Sequence, residues 1–180
     1  NAVEVVNSIP PEKTVLFLPD VNLGNYVKRQ TGRENMKIWQ GTCIVHATFG
    51  ARRVAAALAE HPEARIAAHP ECPEEVLRMA DFVGSTSSII KYCVEDGAGE
   101  YIVMTESGVS HSLKKLAPRK RFYFVPNEQC NCSECPYMKR NTLEKLRDSL
   151  RNLEPRVEIP PDIMQRALIP LERMLAVKVR

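Results

Sequence analysis

Val15-Leu16-Phe17-Leu18-Pro19-Asp20-Val21-Asn22-Leu23-Gly24 opens a run that this 180-residue chain uses twice. An apolar strand passes into an acid-bearing turn, then a helix, then a second strand and the loop Trp39-Gln40-Gly41-Thr42-Cys43. The same order runs from Tyr101-Ile102-Val103-Met104-Thr105-Glu106-Ser107-Gly108 through Phe122-Tyr123-Phe124-Val125 to Cys135. Setting Asp20 on Glu106, an offset of 86, places Val27 on Leu113, one apolar helix position on another. A repeat with a cysteine at the same station of each copy points to cysteines converging on one centre. That is the geometry of a metal site.

Outward from these two runs, short β-rich stretches alternate with helical ones, the pattern of βα units around parallel sheets. The pattern predicts strands over 14–18, 36–40, 64–68, 81–84, 100–105 and 121–125. It predicts helices over 1–8, 23–31, 46–60, 73–80, 86–95, 108–116, 141–152 and 161–176. Pro62 stops the Ala-rich helix, Pro73 suits a first helical turn, and Asn141 with Glu144 resembles a helix-starting cap. The fold class is α/β, with one full and one partial repeat. In the second copy a strand–helix–strand unit over 64–84 precedes the helix near Thr86, whereas the first copy starts at the equivalent helix. Its leading strands are missing, which predicts an exposed edge and an apolar face, and a fragment of a longer chain, a divergent and shorter first copy being the blander alternative.

Composition narrows the function. At 44% hydrophobic residues the chain can bury real cores, and its formal charge of +3 is spread along its length. The densest basic run, Lys114-Lys115 to Arg119-Lys120-Arg121, reads as a solvated face rather than a nucleic-acid stripe. No apolar run approaches the ~20 residues of a membrane helix, and the start lacks a signal peptide's basic region. These features indicate a cytoplasmic protein with no nucleic-acid or membrane partner, in which clustered cysteines more often hold metal than form disulfides.

Each candidate site also has a plainer explanation. Cys43-Ile44-Val45-His46 falls where a strand ends and an Ala-rich helix begins, a position that lowers a thiol's pKa and favours a thiolate ligand. Alone, C-x-x-H is a weak signal. Cys130-Asn131-Cys132-Ser133-Glu134-Cys135-Pro136 places three cysteines in six residues, suggesting metal or redox chemistry. Cys93 reads as core, and Cys72 as a second-choice ligand. His69-Pro70-Glu71 follows a short strand at the C-terminal sheet edge, where α/β folds place their sites, and suits acid–base work. Ser85-Thr86, between strand and helix, offers hydroxyls and free N–H groups to an anion, or is simply a serine-rich helix cap. Asp20 and Glu106 are explained by helix capping.

Together, Pro19-Asp20-x-Asn22-Leu23-Gly24, Trp39-Gln40-Gly41-x-Cys43-x-Val45-His46, His69-Pro70-Glu71-Cys72, Ala80-Asp81-x-x-Gly84-Ser85-Thr86-Ser87 and Cys135-Pro136-x-Met138 resemble the quinolinate synthase family. The resemblance implies pseudo-symmetric three-layer αβα domains around a central cavity. Residues 1–45 would be the C-terminal half of the second domain and 46–138 the third. Helices in 139–180 would pack back on the first. It implies a transferase that condenses iminoaspartate with dihydroxyacetone phosphate to quinolinate in NAD biosynthesis. Its cofactor would be a 4Fe-4S cluster whose open iron is a Lewis acid. Cys43 and Cys135 match two cluster ligands, the third lying upstream, so that this chain alone would be inactive. His69, Pro70, Glu71, Ser85 and Thr86 match substrate-facing positions, with Glu71 and His69 the catalytic candidates. A further implied partner is the L-aspartate-oxidising enzyme that supplies iminoaspartate. The competing readings are a zinc-binding structural module and a thiol-redox module built on Cys130, Cys132 and Cys135.

Overall fold

The computed structural model describes residues 2–126, 128 and 133–177. In the first copy, α1 (Ala2–Ser8) and α2 (Val21–Thr31) cover a parallel pair, β1 (Val15–Phe17) and β2 (Met36–Ile38). Val6, Val15, Val27 and Met36 form its small core. The opposite face of the pair is bare, with Leu16 at 65% exposure and Leu18 at 53%. Gly24 lets α2 lie directly on β2, since a Cβ there would stand 2.5 Å from Ile38 Cγ2.

The second copy is a four-stranded parallel sheet in the order β4-β3-β5-β6, comprising β3 (Arg65–Ala68), β4 (Phe82–Val83), β5 (Glu100–Met104) and β6 (Arg121–Phe124). Past Arg65 and Glu100 at their starts, its central strands are buried and largely apolar because both faces are covered, as parallel sheets require. Ile66, Ala68, Ile102 and Met104 point to one core with Val54 of α3 (Ala51–Glu60) and Val76 and Leu77 of α4 (Glu74–Leu77). Ala67, Tyr101 and Val103 point to the other, with Ile89 and Cys93 of α5 (Thr86–Glu95) and Leu113 of α6 (Ser110–Leu116). The result is an α/β fold with helices on both faces of the sheet.

The strand registers carry the repeat residue by residue. β1 pairs with β2 through Val15 and Met36, and β5 pairs with β6 through Tyr101 and Phe122, both members displaced by the same 86 positions. Chain order reverses between β3 and β5, the switch point at whose C-terminal edge α/β folds bind ligands. There the N–H of His69, just past β3, donates to the carbonyl of Met104 at the end of β5 over 3.1 Å.

Four expectations are corrected. The helix expected over 46–60 is broken: His46–Thr48 forms a single 3-10 turn, Phe49 and Gly50 are extended, and α3 starts at Ala51. Phe49 is drawn into the core at 2% exposure, and its extended backbone ends the turn. The helix expected from Asn141 is α7 (Leu143–Asn152), capped instead by Thr142, whose hydroxyl accepts from the N–H of Lys145. Lys120 is not part of a solvated basic face; its ammonium donates to the carbonyls of Cys93, Val94 and Asp96, closing the C-terminus of α5. Cys72, the second-choice ligand, is instead fully buried, and its thiol donates to the Met104 carbonyl.

α7 and α8 (Pro161–Ala176) bury none of their residues, leaving Leu143, Leu146, Leu150, Leu168 and Leu171 exposed. Among the described residues, no helix is long and apolar enough to cross a membrane.

Candidate active site

The switch point brings Cys43, His46 and Glu71 together, one ligating atom from each lying within 4.8 Å of the others. Glu71 arrives on the tight turn after β3. The N–H of Cys72 donates to the His69 carbonyl, closing that turn, and Pro70 is buried beneath it. Asn22, at the start of α2, donates its side-chain amide to the Glu71 carbonyl over 3.0 Å, fastening the first copy to the second. Arg29 and Glu74 add an ion pair across the same seam.

His46 comes from the 3-10 turn and is nearly buried, at 8% exposure. Its Nδ1 lies 2.9 Å from Glu71 Oε2, and its Nε2 lies 3.0 Å from the hydroxyl of the buried Thr105, just past β5. A carboxylate only accepts, so Nδ1 carries the proton and, in the neutral ring, Nε2 accepts from Thr105. The His69 ring stacks on His46 with centroids 4.3 Å apart. Its Nδ1 accepts the N–H of Glu71 over 3.3 Å, which puts the neutral ring's proton on Nε2.

These contacts set the charge states. The hydrogen bond from His46 holds the Glu71 carboxyl below its ordinary range, so it is ionised at neutral pH. Burial, with His46 alongside, brings His69 down to about 4, so it is neutral there. Burial pushes the Cys43 thiol up. This reverses the expectation of a lowered value, because Cys43 precedes a single 3-10 turn and not the N-terminus of α3.

Cys43 and Cys135 are both half-buried and pack against the same apolar core. Gly41 shapes the turn into Cys43; a Cβ there would meet the Pro19 carbonyl at 2.5 Å. A cavity of about 410 Å³ opens beside the cluster, lined by Tyr26, His69, Pro70, Glu71, Ser85 and Ser88 among others. Ser85 caps α5, accepting from the N–H of Ser88. Thr86 is exposed and lies outside the cavity wall, so of the expected pair only Ser85 reaches it. Cys130 and Cys132 lie outside the described residues.

Sequence reasoning placed His46 in a C-x-x-H motif without its partners, and missed Thr105 and the tether made by Asn22. His46 stood in a quoted motif, but its partners are 25 and 59 residues away, which no local pattern reveals.

The sequence profile of the family described as quinolinate synthetase A protein matches residues 1–176. Among curated proteins, the chain is 48% identical over 177 residues to the quinolinate synthase of Synechocystis sp., covering 98% of this chain and 55% of that protein. It is 46% identical over 177 residues to that of Thermosynechococcus vestitus, with 97% and 55% covered. It is 47% identical over 180 residues to that of Nostoc punctiforme, with 99% and 55% covered. The chain thus spans about half the length of the curated relatives it matches.

Proposed function

Because this chain belongs to the quinolinate synthetase A protein family, we propose that it forms the substrate-facing part of a quinolinate synthase, a transferase of NAD biosynthesis. The reaction is condensation of iminoaspartate, supplied by an L-aspartate-oxidising enzyme, with dihydroxyacetone phosphate. The observation that carries this is the convergence of Cys43, His46 and Glu71 at the sheet's switch point beside a cavity of about 410 Å³, large enough for small anionic substrates.

Cys43 and Cys135 would hold a 4Fe-4S cluster, with the third cysteine coming from the part of the relatives' length that this chain does not span. The donor set suits it: two half-buried thiols on a common core, soft ligands of the kind such clusters take. When bound, the cluster supplies an open iron acting as a Lewis acid. Residues 1–45 and 46–138 would belong to successive domains. In 139–180, the apolar faces of α7 and α8 would be covered by a first domain.

The chain's own groups divide the remaining work. Glu71, ionised and held by His46, is the proton acceptor of the dehydration and ring-closing steps. The proton it takes sits next to the His46–Thr105 pair, which keeps the carboxylate oriented between transfers. Neutral His69 presents its Nε2–H to a substrate oxygen, and Ser85 at the start of α5 offers its hydroxyl to an anionic group. The test is an anaerobic assay of quinolinate formation by this chain extended upstream to its relatives' length. Turnover in the wild type and none in Cys43→Ser is expected; no turnover in the wild type contradicts the reading.

A further inference from the structure

The two cysteine loops are fastened by the same set of hydrogen bonds, and a carboxylate is at the centre of each. In the first copy, Asp20 accepts the N–H of Cys43 on Oδ2 and the N–H of Leu23 on Oδ1, both over 2.8 Å. The next residue, Val21, donates its N–H to the carbonyl of Gly41, two positions before the cysteine, over 2.8 Å. In the second copy, Glu106 accepts the N–H of Cys135 on Oε1 over 3.3 Å and the N–H of Gly108 on Oε2 over 2.7 Å. Ser107 donates its N–H to the carbonyl of Ser133, again two positions before the cysteine, over 3.0 Å. The Lys139 ammonium stands 3.7 Å from the same Oε1.

Helix capping accounts for one oxygen of each carboxylate and leaves the other unexplained. Nor does chance account for the match. Cys43 lies 23 residues after Asp20 while Cys135 lies 29 after Glu106, so the second loop is six residues longer. Despite the insertion, the bonds return to the cysteine and to the residue two before it. Both carboxylates are largely shielded, Asp20 at 3% exposure and the Glu106 side chain at 13%. Two acceptor oxygens used at once require Asp or Glu, because an Asn or Gln amide has one acceptor and would turn its NH2 toward an N–H.

Resting on the cluster reading above, we propose that Asp20 and Glu106 are matched positioning residues that set where the Cys43 and Cys135 thiols stand. In the second loop the clamp holds Cys135 as the thiol presented to the site.

The test uses Asp20→Asn and Glu106→Gln, with Asp20→Glu and Glu106→Asp as rescues. In the cluster-free chain, amide exchange followed by NMR should show one of the two protected amides at each station exchanging roughly ten- to hundredfold faster in the amide variants. Protection should be restored in the rescues. Labelling of Cys43 should accelerate in Asp20→Asn while buried Cys72 and Cys93 stay unreactive; general loosening would expose all three. In the protein extended to its relatives' length, both amide variants should retain less iron per chain than wild type, and the rescues should recover it. Unchanged protection together with unchanged iron overturns the proposal, as does labelling that rises equally at Cys43, Cys72 and Cys93. Wild-type protein that holds no iron refutes the cluster reading instead, and the amide and labelling data still decide the clamp.

Discussion

Nδ1 of His46 stands 2.9 Å from Oε2 of Glu71, joining residues 25 positions apart on different elements. The pair turns a turn after β3 and a 3-10 turn after the cysteine loop into one polar unit, with Thr105 behind it. Removing the last member should therefore be felt through the first two.

Thr105→Val keeps the shape but leaves His46 Nε2 buried without a donor. A loss of about 1–3 kcal/mol is expected, checked by urea denaturation, with Thr105→Ser restoring most of it. Nitrogen NMR of His46 should still show Nδ1 protonated, held by Glu71, with the Nε2 resonance shifted by loss of its hydrogen-bond donor in the valine variant.

His69 gives the chain an acid weakness with a definite sign. Its folded pKa, about 4, lies below the ordinary 6.5. The unfolded chain therefore binds the proton first, and stability falls as pH drops from 6.5 toward 4. Glu71, lowered by its bond to His46, adds to the loss below about its ordinary 4.5. Between pH 7 and pH 5 denaturation should register roughly 1–2 kcal/mol of loss from His69, and His69→Gln should remove that part of the slope.

Gly41 is needed for space, since a Cβ would press on the Pro19 carbonyl. Backbone yields less than a flexible side chain, so Gly41→Ala should cost about 1–3 kcal/mol. It should also make the Cys43 thiol label faster, measured by denaturation and mass spectrometry.

Glu71→Gln tests the proton-transfer role in the protein extended to its relatives' length. A fall in turnover of about 10²–10⁴-fold is expected, with the cluster's visible absorbance kept. Unchanged turnover would remove Glu71 from the mechanism.

Much of the fold was legible because its signals are local or periodic. The apolar runs of β3 and β5 announce a sheet covered on both faces, and the offset read from Asp20 and Glu106 is the one that the strand registers obey. The break at Phe49-Gly50 was not legible. The Ala-rich pattern of α3 runs back smoothly to His46, while the burial of Phe49 and contacts from Glu71, Thr105 and His69 hold that residue in its own turn. Asp20 and Glu106 were half legible. Capping by one oxygen is a local rule, while the bond from the other to a cysteine many residues on belongs to tertiary structure. The Cys43 thiol misled for a related reason, since its neighbour is a single turn and burial decides its proton affinity.

The central claim is that Cys43 and Cys135 are two corners of one iron–sulfur site. Anaerobic reconstitution followed by iron and sulfide counting tests it, on the protein extended to its relatives' length and on its Cys43→Ser, Cys135→Ser and Cys132→Ser variants. Close to four irons and four sulfides per wild-type chain are expected, kept in Cys132→Ser and lost in the other two. Iron at wild-type level in Cys135→Ser, or a colourless protein holding zinc, would contradict it.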